Sequence, residues 1–198
     1  MKKLVMILLT ASLLCGCGAA NDTSPSASST QPEESVADEP IAETEKEYTR
    51  YSSSEEFIAS GLLDNISSSG YVPYTLGTDS GDYTLKAIEA SGNYYMYTLT
   101  HNPDGKVFVY EFTYGDENTS PEKAGENAPI DKAYSETASS GGKDYGVYLF
   151  STTLRQDSYT LSCVPEKGCL AVLSCTGTAS DRELIGCFSE LSLIPYSK

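Results

Sequence analysis

The chain has 198 residues, of which 28 are acidic and 13 basic, and its formal net charge at pH 7 is −15. Nucleic-acid binding depends on clustered Lys and Arg side chains, and the basic residues here are scattered and outnumbered, so DNA and RNA are poor partners. The same acidity argues against direct binding of the folded part to an anionic membrane surface.

The N-terminus is predicted to be an export signal. Two lysines precede an apolar run at residues 4–14, which is too short to span a bilayer but suits a secretory signal. The motif Leu14-Cys15-Gly16-Cys17 resembles the lipobox of bacterial lipoproteins, in which a small residue precedes a cysteine that is lipidated. Bulky residues precede Cys15, whereas Gly16 precedes Cys17, so the resemblance favours Cys17 as the anchor.

The resemblance implies that residues 1–17 are a lipoprotein signal peptide and that acyl chains on Cys17 hold the mature chain on the extracytoplasmic face of the cell membrane. Two acyl chains bind durably because each buried methylene contributes about 0.8 kcal/mol, whereas one chain binds only reversibly. An ordinary cleaved signal peptide with two incidental cysteines is the alternative.

Residues 18–47 are predicted to be a disordered acidic tether. They contain almost no apolar side chains and carry eight acids against one base. Such a segment cannot bury enough surface to fold, and charge repulsion extends it. A flexible chain of this length spans roughly 30 Å. A recruitment tail is the functional alternative to a spacer.

Residues 48–198 are predicted to form a single domain, since their number is sufficient for one hydrophobic core. Ser53 and Glu56 have the spacing of a capping box, which opens a short helix that Gly61 ends. Pro73 indicates an extended entry into a sheet. The apolar residues of the helix are Phe57, Ile58 and Leu62.

Three β-rich runs follow, at residues 82–89, 93–101 and 106–114, and they predict an antiparallel meander. The turn Asn102-Pro103-Asp104-Gly105 fits a type I turn with a bulge, because Pro103 presets one dihedral angle and Gly105 tolerates the left-handed conformation. This bulge places Asn102 opposite Lys106 and sets the register of the two strands.

The predicted register divides the meander into two faces. The predicted core residues are Met96, Phe108 and Phe112. The other face carries Tyr95, Tyr97 and Glu111 and is predicted to be exposed. Tyrosines on an exposed sheet are typical of binding surfaces, because each ring offers apolar area and a hydroxyl at low entropic cost. The alternative to a binding role is that the alternating tyrosines simply pack in a half-buried sheet.

The second half of the domain begins with a polar stretch at residues 115–144, which is predicted to be a long loop, either disordered or functional. Three more strands are predicted at residues 145–154, 158–163 and 169–175.

A second capping box, Ser180 with Glu183, opens a helix with one apolar face. That face consists of Leu184, Ile185, Phe188 and Leu191. The residues after the helix, Leu193, Ile194 and Pro195, are predicted to form a short extended tail.

The order of elements predicts an α+β fold: an antiparallel β-sheet of about six strands with a short N-terminal helix and a C-terminal helix packed on one face. The Ser/Glu-capped helix, the Tyr-Val-Pro lead-in, the aromatic meander and the closing Leu-Ile-Gly-Cys-Phe-Ser-Glu-Leu helix resemble uncharacterised extracytoplasmic domains of Gram-positive lipoproteins and anti-sigma-type sensor proteins. The resemblance implies a fold and a location but no catalytic residue.

Four cysteines remain after the predicted processing: Cys163, Cys169, Cys175 and Cys187. They lack the close Cys-x-x-Cys spacing of structural zinc sites. An exported domain favours disulfides. Cys163 with Cys169 across the hairpin, leaving Cys175 with Cys187, is one pairing, and Cys187 with Cys163 or with Cys169 are the others. Reduced thiols packed as small core residues are the further alternative.

The sequence predicts no catalytic residue, metal or cofactor. His101 is the only histidine and adjoins a hairpin turn, where we expect a surface position rather than a triad or a Cys-His pair. Glu111 and Glu89 have the chemistry of a glycosidase pair, but every acidic domain offers such pairs.

The leading hypothesis is therefore a non-enzymatic, lipid-anchored binding or sensing module of the cell envelope whose partner is an envelope protein or glycan. The alternative is an envelope hydrolase that uses paired carboxylates. A purely structural spacer is the third reading.

Overall fold

The structure is a computed structural model that describes residues 47–78 and 81–197. These residues belong to one compact unit, Thr44–Lys198. The predicted anchor Cys17 and the predicted tether, apart from its last residue, lie outside them. No helix in this described part has the length and apolar character needed to cross a membrane.

About half of the described residues lie in β-strands. In chain order they are β1 (Thr49–Tyr51), β2 (Tyr74–Thr78), β3 (Tyr83–Ser91), β4 (Tyr94–His101), β5 (Val107–Tyr114), β6 (Ile130–Ser140), β7 (Lys143–Thr152), β8 (Arg155–Cys163), β9 (Cys169–Cys175) and β10 (Leu191–Pro195). Eight of them form one antiparallel sheet in the order β1-β3-β4-β5-β9-β8-β7-β6, and β10 pairs with β2 in a second, two-stranded sheet.

The predicted antiparallel sheet is confirmed, and all six predicted strands are present as β3, β4, β5, β7, β8 and β9. The prediction of about six strands in an α+β fold is wrong, because the main sheet has eight strands and the domain is mainly β. The predicted extended tail after the last helix is β10, which closes the second sheet.

The described residues also form three short α-helices: α1 (Ser54–Ala59), α2 (Leu62–Ser68) and α3 (Asp181–Glu190). The Ser53 hydroxyl accepts the Glu56 N–H at 3.2 Å and caps α1, whereas the Glu56 carboxylate accepts from Ser52. Gly61, with φ of 77°, separates α1 from α2. The first capping box is therefore half confirmed, since its carboxylate reaches one residue further back.

The C-terminal helix is confirmed with both halves of its capping box. The Ser180 hydroxyl accepts the Glu183 N–H, and the Glu183 carboxylate accepts the Ser180 N–H at 2.8 Å. The helix packs against β6, β8 and β9. Its buried residues are Leu184, Cys187 and Phe188.

The predicted loop at residues 115–144 is wrong in its second half. After a 3₁₀ helix (Pro121–Gly125), residues 130–140 form β6 and residue 143 begins β7. The first eight residues of β6 are all exposed. Because neither face of that stretch is buried, its sequence lacks the alternation of apolar and polar residues that identifies a strand.

The register of β4 and β5 differs by one residue from the predicted register. His101 N–H donates to the Lys106 carbonyl at 2.8 Å, and Gly105 N–H donates to the His101 carbonyl at 2.8 Å, so His101 and Lys106 close a four-residue turn. Tyr95 consequently lies opposite Phe112, and Tyr97 lies opposite Tyr110. A one-residue shift moves every side chain of one strand to the other face.

The core lies between one face of the main sheet and the layer formed by α1, α2, α3 and the two-stranded sheet. Phe108 and Phe112 are buried there, as predicted, but Met96 points to the opposite face and is only half-buried. Tyr95 and Tyr97 take its place in the core and contact the Phe57 ring of α1 at centroid distances of 5.1 and 6.0 Å.

Candidate functional site

The predicted binding face does not exist as predicted. Tyr95 is 0% exposed and Tyr97 is 1% exposed, so neither ring can touch a partner. Glu111 lies on the opposite face of the sheet and is half-buried. The prediction of these two tyrosines is wrong because the turn closes without the bulge that was assumed.

Glu111 instead lies on a face that the rest of the described chain leaves uncovered. Strand register places Arg50, Glu89, Met96 and Glu111 in one row across β1, β3, β4 and β5. We call this side of the four strands the open face. It consists of Tyr48, Arg50, Glu89, Tyr94, Met96, Thr98, Val109 and Glu111, which are all at least partly exposed, and of Ala87, which is 2% exposed.

The same side of the sheet is covered further along, at β7 and β8. There the 3₁₀ helix packs on the sheet, and the buried Ser162 hydroxyl donates to the Pro121 carbonyl at 2.6 Å. Phe150 is buried beneath the same segment, close to Gly125. The cover does not reach β4, so an open, half-apolar surface remains beside it.

Tyr94, the first residue of β4, contacts two other residues of the open face. Its hydroxyl donates to Glu111 Oε2 at 2.8 Å, and its ring forms an edge-on pair with Tyr48 at a centroid distance of 5.9 Å. Partial burial, together with the nearby Glu111 carboxylate, raises the pKa of the Tyr94 hydroxyl. The hydroxyl therefore stays protonated and donates, and it holds the Glu111 carboxylate in place.

The open face combines several kinds of recognition group. Tyr48 is 46% exposed and offers a ring edge and face. Arg50 donates to Glu89 Oε1 at 3.1 Å, and both side chains reach solvent. Rings beside carboxylate acceptors and a guanidinium donor can contact a ligand that has both apolar and hydroxyl surfaces.

Sequence reasoning assigned Met96 to the core and did not assign Tyr48, Arg50 or Tyr94 to a binding face. For Tyr94 and Met96 the signal was present, since they alternate with Tyr95 and Tyr97. Pairing the strands from His101 and Lys106, without a bulge, places Tyr94 and Glu111 on one face. The aromatic content of Phe108, Tyr110 and Phe112 then identifies the buried side.

A shallow cleft of about 200 Å³ lies between the β4–β5 turn and α3. It brings together the residues of a nucleophilic site, because His101 and Cys187 both line it and His101 Nδ1 lies 2.7 Å from Asp104 Oδ1. The full lining is Tyr83, His101, Asp104, Phe108, Glu183, Gly186, Cys187 and Glu190.

The electrostatics of the cleft oppose nucleophilic catalysis. Cys187 is 2% exposed, and burial raises the pKa of its thiol to about 12. A cysteine nucleophile must be a thiolate near neutral pH, and reactive cysteines have lowered pKa values. Cys187 therefore behaves as a buried core thiol whose polar neighbour is Tyr83.

The cleft also holds three carboxylates, on Asp104, Glu183 and Glu190. Lys106 and the Ser180 cap hold the pKa of Glu183 down at about 2, so this group cannot act as a general acid. The His101 ring and the Lys106 N–H lower the pKa of Asp104, the backbone contact having the larger effect. The general acid of a glycosidase needs a raised pKa, whereas the pKa values of Asp104 and Glu183 are both lowered.

All four cysteines of the domain are buried and free. Cys163 lies opposite Ala171 on β9, two positions from Cys169, so the five-residue turn does not bring the two sulfurs face to face. Burial raises the pKa of both thiols, that of Cys169 to about 12. The described structure supports none of the predicted disulfide pairings, and the thiols occupy core positions.

Within residues 47–78 and 81–197, no group of three or more His, Cys, Asp or Glu side chains has the arrangement of a metal site. Neither protein-family models nor curated proteins match the sequence, and no solved structure matches the fold. The functional argument therefore rests on the residues and their geometry.

Proposed function

We propose that this protein is a lipid-anchored, non-enzymatic binding module of the cell envelope, and that its open face binds a glycan chain. The anchor motif at Cys17 and the acidic tether support the location. The observation that carries the binding proposal is the Tyr94–Glu111 hydrogen bond beside the exposed Tyr48 on an uncovered sheet face. The function is thus recognition at a distance from the membrane surface.

The chemistry of the open face favours a sugar polymer over a small molecule. Small-molecule sites are concave and bury most of the ligand, whereas this surface is one face of a sheet. Sugars present hydroxyl donors that carboxylates accept and flat C–H faces that aromatic rings cover. Residues 48–198 carry 20 acids and 10 bases, so a polyanionic chain would be repelled. A neutral glycan fits best.

Binding of the purified full chain to isolated neutral cell-wall glycan tests the proposal. Tyr48→Ala and Glu111→Gln should each weaken binding about tenfold, the size of one good interface contact. The matched control is Glu126→Gln, which removes an exposed acid just after the 3₁₀ helix, outside the open face. This variant should bind like the wild type. Equal binding by all variants rejects the open face, and capture of an envelope protein without glycan identifies a protein partner instead.

The anchor is tested separately, because Cys17 lies outside the described residues. The wild-type chain should fractionate with the membrane, and Cys17→Ala should be released or should keep its first sixteen residues. Membrane retention of a processed Cys17→Ala product would contradict the proposed location.

The alternative is a hydrolase that uses paired carboxylates, and the specific observation in its favour is the acid-lined cleft. Release of reducing sugar from the same glycan by the wild type, lost in Glu190→Gln, would establish it. Absence of product after prolonged incubation with the wild type supports the binding module.

A further inference from the structure

Strand β6 forms one edge of the main sheet and is exposed for most of its length. Residues 130–137 are all exposed, and in the described part of the chain β7 is the only strand that pairs with β6. An edge strand presents unpaired N–H and C=O groups along its free side. The free side of β6 therefore offers a ready template for another strand.

Lys132 and Glu136, two of the three charged residues of β6, lie at equal distances on either side of Tyr134. Lys132, Tyr134 and Glu136 point to the same side of the sheet because side chains alternate along a strand. The Tyr134 hydroxyl donates to Asp181 Oδ2 at 2.7 Å and fastens the middle of β6 to the start of α3. The strand is therefore held in an extended, accessible conformation by its own domain.

Charge pairing favours one register for the self-pairing of β6. In an antiparallel pair related by a two-fold axis, residues at equal distances on either side of the axis lie opposite one another. An axis at Tyr134 places Lys132 opposite Glu136 of the other copy, and it does so twice. An axis at Lys132 or at Glu136 would place two like charges opposite each other, which is unfavourable.

We propose that β6 is a homodimerisation edge, along which two copies of this chain pair antiparallel about Tyr134 to form one continuous sheet of sixteen strands, eight from each copy. Strand β6 carries one base, Lys132, and two acids, Asp131 and Glu136, and in this register Asp131 lies opposite the uncharged Thr137 of the other copy. A bulge between Ile130 and Lys132 interrupts the regular pairing of β6 with β7 near the start of β6.

Sedimentation equilibrium of the purified full chain in density-matched detergent tests the proposal by charge exchange. The wild type should show a concentration-dependent dimer. Lys132→Glu or Glu136→Lys alone should raise the dimer dissociation constant about tenfold, because each places like charges opposite one another twice. The double variant with both exchanges should restore the wild-type constant.

The control exchanges the exposed Lys123–Glu126 ion pair, which lies outside β6 and should leave the dissociation constant unchanged. A wild type that stays monomeric at every concentration overturns the proposal. Single exchanges without effect, or a double exchange that fails to restore dimerisation, overturn it equally, because the opposite charges would then not face each other.

Discussion

The hydroxyl of Tyr95 bonds both backbone groups of Tyr74: it donates to the Tyr74 carbonyl at 2.6 Å and accepts the Tyr74 N–H at 3.1 Å. In the two-stranded sheet Tyr74 lies opposite Pro195, which has no N–H to donate. The Tyr114 hydroxyl, 2.8 Å from that of Tyr95, shares the Tyr74 N–H. The Tyr95 side chain of the main sheet thus supplies backbone hydrogen bonds to Tyr74 that a neighbouring strand would otherwise make.

Tyr95→Phe should lower the free energy of unfolding by about 1–3 kcal/mol, because it leaves the buried Tyr74 carbonyl without its donor. Tyr110→Phe is the matched comparison, since the Tyr110 hydroxyl is fully buried without a hydrogen bond of standard geometry. Its removal should change stability by less than about 0.5 kcal/mol. Urea unfolding of both variants measures the difference, and equal losses would show that the Tyr95 hydroxyl is not structural.

Much of the fold follows from local sequence patterns, and the missing parts share a physical cause. The six predicted strands carry alternating apolar residues, and Ser180 with Glu183 marks the start of α3. Strands β1, β2 and β6 were not predicted, and β10 was predicted only as an extended tail. Each of these strands is short, is exposed or lies in the second sheet, so its sequence lacks the regular alternation of apolar and polar residues that one-sided burial produces. Tertiary pairing, rather than local pattern, makes them strands.

The candidate site was harder to predict because it depends on one hydrogen-bonded turn. Placing Asn102 rather than His101 opposite Lys106 exchanges the two faces of β4 relative to β5. Both registers place aromatic residues on each face of the sheet, so composition alone does not distinguish them. Glu111 lies half-buried on the side away from the core, whereas Tyr95 and Tyr97, which were assigned to the same face, lie in the core.

Acid should destabilise the fold partly through Glu183. Its folded pKa of about 2 is below the ordinary 4.5, so its ionised form stabilises the fold above pH 4.5, and this contribution is lost as the pH falls from about 4.5 to about 2. Because the side chain is 44% exposed, solvent screening limits the effect to about 1 kcal/mol or less.

Glu183→Gln should therefore unfold more easily than the wild type at pH 7 and lose less stability between pH 5 and pH 2. Thermal unfolding at a series of pH values measures both effects. Parallel curves for the two proteins would show that the Lys106 and Ser180 contacts do not depress this pKa.

The four domain cysteines should be unreactive in the native protein. All are buried, and the pKa values of Cys169 and Cys187 are raised to about 12, so almost no thiolate is present at pH 8. Iodoacetamide should label none of them in the folded chain and all four after unfolding in guanidinium without reductant. An intact mass that shows fewer alkylations after unfolding would reveal a disulfide and restore the sequence-based pairing.

Substitution of Gly168 by alanine should destabilise the domain for two reasons, its backbone conformation and a steric contact. It adopts φ of +80°, and a Cβ there would collide with Cε1 of the Tyr71 ring, whose hydroxyl donates to the Gly115 carbonyl. Gly142 is the matched control, because its φ of +75° is similar but nothing lies within 4 Å of the added carbon.

Gly142→Ala should cost about 1–2 kcal/mol, the strain of a left-handed alanine alone. Gly168→Ala should cost a further 1–3 kcal/mol, roughly the penalty of overpacking, because the Tyr71 ring must move. Chemical denaturation of the two variants gives this difference directly. If both variants lose the same stability, the Tyr71 ring moves freely, and Gly168→Ala should cost the same free energy in the Tyr71→Ala background as in the wild type. If the contact is real, Gly168→Ala should cost less in the Tyr71→Ala background, because the ring that it displaces is then absent.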